Sequence, residues 1–475
     1  MKGQPAALRV RLGVLTTVFP PDLVDEVVAR HGRLERRCRL LPSRLVVYFV
    51  VGLCLFARES YEEVVRLLAG GLPGSRTLAG VNRSSLCRAR VRLGEQVMES
   101  LFREVAGPLA GPATPGAWWR GMRLLAIDGT QFDIPDSVSN GLAFDGPSSR
   151  GVPFGFPQIR AVVLSEIGTH GVLDAAMGGY RDGERSLALD LAPATGPGDL
   201  VIADRGFWSA EVVDVFTATG ADLLVRLQSN HLGTVLEELA DGSVLSTSTC
   251  SKRVRRRARE QGRTPPAHIV FRVISYAAGE NVVHLGTTLI DHRAYPAEEL
   301  VAIYRQRWEI ELAFDELKNH LGPSGPLRSR TPEGARQELW AFLAVHHAIR
   351  RLAHDAAVNA GPVLDTDRIS YLTCVRIIRR SIFAQAATTG TNLAHALSEA
   401  LHEARSRLLP PRTGRRHHRA IKKPSRWPVL RTRAGHRHVA PGRWAHNQTV
   451  KSKPRRQAGR AFTDTPRPAQ PQLPP

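Results

Sequence analysis

Four side chains that can bind a phosphate group or a metal ion lie at fixed spacing between residues 304 and 318: Tyr304, Arg307, Glu311 and Lys318. On an α-helix, which turns about 100° per residue, all four fall within about 60° of one another. Apolar residues form a neighbouring stripe, so the helix is predicted to bury one side. A carboxylate at the edge of a buried surface can bind a metal ion, and Arg and Lys can hold phosphates. The other ligands of such a site must come from elsewhere in the chain.

Two aspartates each follow a short apolar run that is typical of a buried strand. Asp128 ends the run RLLAID, and Asp204 ends the run LVIAD. Adjacent strands would bring these carboxylates together at the edge of a sheet, where ligands often bind. A hard cation such as Mg²⁺ prefers a few carboxylates together with waters and substrate phosphates. An aspartate close to a glycine is also a common turn residue, so each aspartate alone is weak evidence for a metal site.

The order of apolar and turn patterns predicts an α/β protein behind a helical N-terminal region. Strand-like runs and a strand–helix–strand unit occupy the centre, and a Pro/Gly-rich linker at 107–116 precedes them. The predicted divisions are a helical domain at 15–110 that could bind DNA through its arginines, an α/β domain at 118–360 with a β-rich insertion at about 230–290, C-terminal helices at 361–403 and a basic disordered tail at 404–475.

Two basic segments inside the folded part each allow two interpretations of their function. One is a helix from Asn82 to Gly94 that carries four arginines, and the other is a loop from Lys252 to Arg263 within the β-rich insertion. Either segment could contact nucleic acid. Either could equally be a solvated charged surface.

The net charge of +21 is concentrated at the C-terminal end. From residue 404 onward there are 19 Lys and Arg against one acid, Asp464, so the body of the chain is nearly neutral. A basic tail favours a partner with a phosphate backbone, because neutralised phosphates release counterions. The alternative is a soluble tail without a binding role.

Several classes of protein are disfavoured by the composition. The five cysteines include no CxxC pair, so neither a disulfide framework nor a zinc site is indicated, and a reducing cytoplasm fits. The longest apolar run, from Leu45 to Phe56, is too short to span a bilayer and predicts a buried helix, so no membrane partner is expected. The adjacent His346 and His347 cannot chelate one metal from the same helix face and are interpreted as packing or surface residues.

At the level of motifs the chain resembles the insertion-sequence-4 family of DDE transposases. The pattern Y-x2-R-x3-E-x6-K is met by the four residues between 304 and 318, while Asp128 lies in IDGT and Asp204 in ADRGFWS. The N-terminal segments LPSRLVVYFVVGLCLF, SYEEV and LCRARVRLG are also similar to that family's N-terminal domain, so the resemblance covers roughly residues 15 to 360. It implies an RNase H-like catalytic fold with a β-rich insertion before the glutamate.

The resemblance also implies a site and a reaction. Two Mg²⁺ ions, for which Mn²⁺ can substitute, would be held by Asp128, Asp204 and Glu311, and DNA phosphates would be contacted by Tyr304, Arg307 and Lys318. The expected partners are terminal inverted repeats and target DNA, bound by a homodimer in a synaptic complex. The expected reaction is cut-and-paste transposition in the bacterial cytoplasm, in association with the nucleoid.

Three alternatives stay open from the sequence. Asp315 lies at about +20° on the same helical wheel and competes with Glu311, which is preferred for its spacing within the motif. The chain could be a repurposed DNA-binding protein that no longer catalyses transposition. It could also be a Mg²⁺-dependent nuclease without strand transfer, although the helical N-terminal region and the β-rich insertion argue against this.

Overall fold

The computed structural model describes residues 6–411 except for 38, 71, 73–74, 150–151, 154, 265, 323–324 and 385–390. Most of the predicted basic tail, from residue 412 onward, therefore lies outside the described residues, as does Cys38. Within the described part no helix is long and apolar enough to cross a membrane. The four cysteines described there are free thiols: Cys54, Cys87, Cys250 and Cys374.

The N-terminal region is helical, as its apolar periodicity predicts. The run from Leu45 to Phe56 lies almost entirely within one buried helix. Ser60 caps the next helix by accepting a hydrogen bond from the backbone N–H of Glu63, which the Ser-x-x-Glu pattern favours. The helices are α1 Ala6–Arg9, α2 Pro21–Arg30, α3 Ser43–Leu55, α4 Tyr61–Ala69, α5 Arg76–Ala79, α6 Arg83–Leu93 and α7 Gln96–Val105.

The rest of the described chain combines strands with helices. The strands are β1 Trp118–Trp119, β2 Met122–Asp133, β3 Ser148–Ser149, β4 Val152–Pro153, β5 Gln158–Glu166, β6 Val172–Gly179, β7 Asp199–Ala203, β8 Asp222–Leu227, β9 Thr234–Glu238, β10 Val244–Thr249, β11 His268–Ala278 and β12 Asn281–Thr287. The helices are α8 Val138–Phe144, α9 Glu184–Ala188, α10 Ala210–Thr217, α11 Lys252–Glu260, α12 Ala297–Tyr304, α13 Glu309–Asp315, α14 Pro332–Asn359, α15 Tyr371–Phe383 and α16 Thr391–Arg405.

One large sheet organises this region. Its strand order is β6-β5-β2-β7-β8-β12-β11-β10-β9, with β1 paired to β2. Strands β2, β7 and β8 are parallel, and the other pairings are antiparallel. The predicted β-rich insertion supplies β9 to β12 and continues the same sheet, because β12 pairs with β8. The architecture is α/β and consistent with an RNase H-like fold, which confirms the predicted fold class.

The sheet separates two apolar cores. Alternate residues of β2 face opposite sides, so Leu124 and Ala126 join one core while Leu125 and Ile127 join the other. The first core also contains α3, α13 and α14, and the second contains α10 and part of β11. The N-terminal helices therefore share a continuous core with one face of the sheet.

Two sequence-based expectations of local structure are wrong. The segment from residue 304 to 318 is not one regular α-helix, because a 3₁₀ turn at Arg305–Trp308 precedes α13 and a π-helical segment at Glu316–Leu321 follows it. The angles of an ideal wheel therefore do not hold along it. The basic loop predicted at 252–263 is largely helix α11, which Ser251 caps while Val254 and Ala258 are buried at helical spacing.

The two adjacent histidines are both buried packing residues of α14. His346 hydrogen-bonds to Glu316 through Nε2 at 3.0 Å. His347 donates from Nδ1 to the carbonyl oxygen of Val172 at 2.9 Å, which ties α14 to β6. Burial lowers the pKa of His347 to about 4. This histidine is therefore neutral in the folded protein at neutral pH.

Replacing His347 with glutamine is expected to flatten the fall of stability in acid. The unfolded chain binds a proton at this histidine near pH 6.5, whereas the folded protein binds it near pH 4, so stability falls as the pH decreases between these values. The contribution is at most about 1.4 kcal/mol per pH unit. Urea denaturation of His347→Gln between pH 7 and 4 checks this. The exposed His395 provides the control His395→Gln, and an unchanged slope in His347→Gln would contradict the assignment.

Candidate active site

Asp128 and Asp204 occupy corresponding positions on neighbouring parallel strands. Ile127 and Ala203 form the last residue pair between β2 and β7. Asp128 directly follows Ile127, and Asp204 directly follows Ala203. Asp128 is not at the end of its strand as expected, because β2 continues to Asp133 in pairing with β5. It marks instead the point where β2 loses β7 as a partner. Both carboxylates therefore lie at one edge of the parallel part of the sheet.

Arg307 joins the 3₁₀ turn before α13 to the sheet. Its guanidinium donates to the Glu311 carboxylate at 3.0 Å and lies 3.5 Å from an oxygen of Asp128. The side chain is mostly buried, so these contacts are made away from bulk water. The 3₁₀ turn that contains Arg307 aims its side chain at the strand edge. One cation therefore connects two of the three predicted acids.

The environment of the Asp128 carboxylate disfavours its ionised form. Burial raises its pKa to about 6, although the backbone N–H of Gly129, at 2.8 Å, and the nearby Arg307 oppose that rise. The neighbouring carboxylates of Glu184 and Glu311 raise it further. The Asp204 carboxylate makes no hydrogen bond or ion pair with the residues that the structure describes. A cation bound beside Asp128 would stabilise the ionised form of its carboxylate, which burial disfavours.

Tyr304 completes the cluster on the helical side. Its side chain is buried, and burial raises the pKa of its phenol above the usual range. The charges that act on this phenol include Arg307 and Asp204, so it lies in the same electrostatic environment as the predicted acids. The phenol is therefore protonated at neutral pH and available as a hydrogen-bond donor.

Lys318 lies apart from the carboxylates, in an adjoining groove. Its ammonium group is 5.2 Å from the centre of the Phe132 ring, and burial lowers its pKa. The groove has a volume of about 840 Å³ and begins at Gly129, the residue after Asp128. The π-helical segment carries Lys318 onto the wall of this groove. A phosphate in the groove would meet a lysine close to the strand edge.

Asp315, the competing acid, faces solvent. Its carboxylate accepts a hydrogen bond from Asn319 at 2.5 Å and lies 3.3 Å from His320. Neither partner belongs to the strand edge that carries the aspartates. This arrangement favours Glu311 over Asp315 as the acid of the site.

Glu184 is an acid near the site that sequence reasoning missed. It begins α9 and lines the same groove, and a Cβ atom added to Gly129 would lie 2.7 Å from its carboxylate. Glycine at position 129 thus allows the close approach of Glu184 to the strand that carries Asp128. No pattern around Glu184 marks it in the sequence, because its position depends on how α9 packs against the sheet.

A second set of missed residues forms a buried charge network between α13, the π-helical segment and α14. Glu316 accepts hydrogen bonds from Arg350 at 2.8 Å and pairs with His346. Although burial favours the neutral acid, Arg350 and the histidines hold the pKa of Glu316 well below its usual range. His170 extends the network to Glu309 at 2.9 Å. These contacts fix the π-helical segment against α14.

The network also contains the one tight group of possible metal ligands among the described residues. The ligand atoms of His170, Glu309 and Asp367 all lie within 4.8 Å of one another. This group differs from the predicted triad of Asp128, Asp204 and Glu311, whose oxygens are not gathered as closely. Because Arg350 and Glu316 also contact His170, we interpret the group as part of the buried network.

The arginines of α6 divide into two kinds. Arg90 is buried and donates to Gln337, Tyr61 and Ser329 at 2.6–2.9 Å, which fastens α6 to α14 and the loop before it. Arg92 donates to a backbone carbonyl of the N-terminal region at 2.7 Å. The remaining two, Arg83 and Arg88, are exposed. Half of the predicted basic face is therefore structural.

Comparison with known proteins identifies the family of this chain. Residues 9–103 match the family described as the insertion element 4 transposase N-terminal domain, and residues 119–346 match the transposase DDE domain. The transposase InsG for insertion sequence element IS4 of Escherichia coli (strain K12) is 30% identical over 347 residues, which are 72% of this chain and 77% of that protein.

Two less similar proteins are also described as transposases. The putative transposase InsZ of the same strain is 26% identical over 50% of this chain and 77% of its own length. The transposase for insertion sequence element IS231B of Bacillus thuringiensis subsp. berliner is 22% identical over 44% of this chain and 43% of its own length. On this evidence the chain belongs to the insertion-sequence-4 family of DDE transposases and is an enzyme that acts on DNA.

Proposed function

We propose that this transposase binds the terminal inverted repeats of its element and moves the element by Mg²⁺-dependent cleavage and strand transfer. The observation that carries the proposal is the register of Asp128 and Asp204 on adjacent strands, with Glu311 joined to Asp128 through Arg307. Arg307 contacts two of these acids, and Asp204 follows the strand beside the one that carries Asp128. Burial raises the pKa of Asp128 to about 6, as is common at functional sites, and this accords with the geometry.

Asp128, Asp204 and Glu311 are the residues that would hold the metal ions. Their donor set fits Mg²⁺, or Mn²⁺ in its place, because both ions prefer carboxylate oxygens. A bound cation would also favour the ionised form of Asp128, which burial disfavours. When bound, such ions activate the attacking oxygen and stabilise the leaving oxygen of a phosphodiester.

The cationic and phenolic side chains would hold the DNA. Arg307 and Tyr304 stand beside the carboxylates, and Lys318 stands on the wall of the adjoining groove. Their donors can bind phosphate oxygens on either side of the bond to be cut. Positioning and charge stabilisation are the protein's main contributions to reactions of this class.

The proposed reaction proceeds in substitutions at phosphorus. Water attacks the phosphate at the element end, the bond to the 3′ oxygen breaks, and that oxygen leaves as a 3′-OH. The freed 3′-OH then attacks the phosphate of the opposite strand, which closes a hairpin and expels the 3′ oxygen of the flanking DNA as a 3′-OH. Water attacks the hairpin phosphate, which regenerates the 3′-OH of the element and leaves a 5′-phosphate. This 3′-OH finally attacks a phosphate of the target DNA and expels a target 3′ oxygen as a 3′-OH. A homodimer that joins two inverted repeats, in the cytoplasm and associated with the nucleoid, would bring both ends to one target.

A cleavage and joining assay tests the proposal. Purified protein is mixed with duplexes that carry the inverted repeats flanking its gene, or scrambled repeats, together with a labelled target duplex. We expect cutting at the repeats with Mg²⁺ or Mn²⁺, none in EDTA, and joined product with the target. Cutting without joining would indicate a nuclease, and binding without cutting would indicate a repurposed DNA-binding protein.

Replacing Lys318 with alanine is expected to weaken cleavage while the fold stays intact. The ammonium group would lose a phosphate contact, so we expect about a tenfold lower rate at subsaturating DNA and a salt dependence of binding that is smaller by about one ion. Gel-based cleavage and anisotropy titrations measure the two effects. Thermal melting is the control, and a Lys318→Ala protein that unfolds would show that this lysine is structural.

A further inference from the structure

Helix α11 carries a face of cations for which the fold supplies few counter-ions. Positions 252, 255, 256 and 259 recur at helical spacing, so their side chains share one side of the helix. Lys252, Arg256 and Arg259 are exposed, and Arg255 is half-buried. Among the described residues, only Arg256 of these four has an acidic partner, Glu260, at 3.5 Å.

The other cations of this segment have a different role. Arg253 and Arg257 both pair with Glu211 of α10, at 3.2 and 3.3 Å, and Arg263 pairs with Asp214 of the same helix at 2.9 Å. Val254 is buried in the core beneath. One side of α11 is thus fixed to α10 by ion pairs and apolar contacts. The four-cation face is therefore held rigidly toward solvent.

The position of α11 separates this face from the carboxylate site. Val254 belongs to the core on one side of the sheet, together with α10 and part of β11, whereas α13 packs in the core on the other side. The ion pairs with Glu211 hold α11 beside α10, on the face of the sheet opposite α13. A duplex that approaches α11 from this face is therefore separate from DNA that approaches from the α13 face.

We propose that the α11 face, formed by Lys252, Arg255, Arg256 and Arg259, binds the phosphate backbone of a DNA duplex segment other than the one being cut. It spans about 10 Å of helix, the length of about three base-pair steps. The face offers long cationic side chains without an aromatic or apolar anchor of the kind that centres protein interfaces. Cations of this kind bind backbone phosphates without reading the bases, which suits a target duplex of any sequence. The inference rests on the proposed function only in taking DNA as the partner.

Two charge-matched variants of the full chain test this inference. Lys252→Gln/Arg259→Gln removes two unpaired cations, and Arg253→Gln/Arg257→Gln removes two cations paired with Glu211. Both variants lose the same net charge from the same helix. Binding of a labelled 30-base-pair duplex of unrelated sequence is measured in EDTA by anisotropy across a range of KCl concentrations.

We expect the first variant to lower the slope of log affinity against log salt by about two, and the second to lower it by less than half as much. Cleavage of a repeat duplex at low salt should be retained in the first variant. Equal changes of this slope in both variants, or an unchanged slope in the first, would overturn the inference. Neither result would bear on the proposed cleavage site. Loss of repeat cleavage together with an unchanged slope would place the cations at the cutting site instead and would also overturn it.

Discussion

Replacing Glu311 with glutamine is expected to lower the rate of DNA cleavage by about 10³-fold or more, a barrier increase of about 4 kcal/mol. Glutamine keeps the size of the side chain and an oxygen that can accept from Arg307, but it removes the negative charge needed to hold a divalent cation. Affinity for repeat DNA should stay within about threefold, because the phosphate donors are unchanged.

Asp315→Asn is the matched control for this variant. It makes the same change of charge on the same helical segment, at a carboxylate that faces Asn319 and His320. We expect near wild-type cleavage from it. Full cutting by Glu311→Gln would contradict the three-carboxylate assignment, and loss of cutting in Asp315→Asn alone would transfer the acid role to Asp315.

Replacing Glu316 with alanine is expected to cause the largest loss of stability among these variants, about 3–5 kcal/mol. Removing the carboxylate would leave Arg350, which is 2% exposed, without its closest counter-ion, and would remove the partner of His346. The π-helical segment would lose the contacts that fix it to α14. Urea denaturation followed by circular dichroism measures the change.

The exposed Asp315 again offers a control one residue away. Asp315→Ala should change the free energy of unfolding by less than about 0.5 kcal/mol, because its partners are at the surface. The free energy of unfolding of Glu316→Gln should lie between those of Glu316→Ala and Asp315→Ala, because the amide oxygen can still accept one hydrogen bond. A Glu316→Ala protein as stable as Asp315→Ala would show that the buried network is dispensable.

The sequence predicts well those strands and helices that local patterns of apolar residues encode. The runs that end at Asp128 and Asp204 mark buried strands, and the apolar periodicity marks α3 and α14. The α/β class follows from the order of such runs. The close spacing of Tyr304, Arg307, Glu311 and Lys318 marks a functional segment, and their assignment as site residues stays a prediction.

What the sequence predicts poorly depends on contacts between distant residues. The 3₁₀ turn and the π-helical segment arise where Arg307 reaches Asp128 and where Glu316 reaches Arg350, and neither pairing has a local signature. Glu184 approaches Gly129 only because α9 packs beside β2. Helix α11 could have been predicted from the sequence. Ser251 is a favourable N-cap residue, and the apolar residues Val254 and Ala258 are spaced i, i+4 within the basic run.

Metal specificity in Asp204→Cys is the measurement that tests the central claim most directly. Thiolate is a soft ligand that binds Mg²⁺ poorly and Mn²⁺ or Cd²⁺ better, whereas the carboxylate accepts Mg²⁺. If Asp204 holds the metal, cleavage of repeat DNA by Asp204→Cys should be lost with Mg²⁺ and regained in part with Mn²⁺ or Cd²⁺. Cleavage at the wild-type rate with Mg²⁺ would contradict the account, because Asp204 would then not be a ligand.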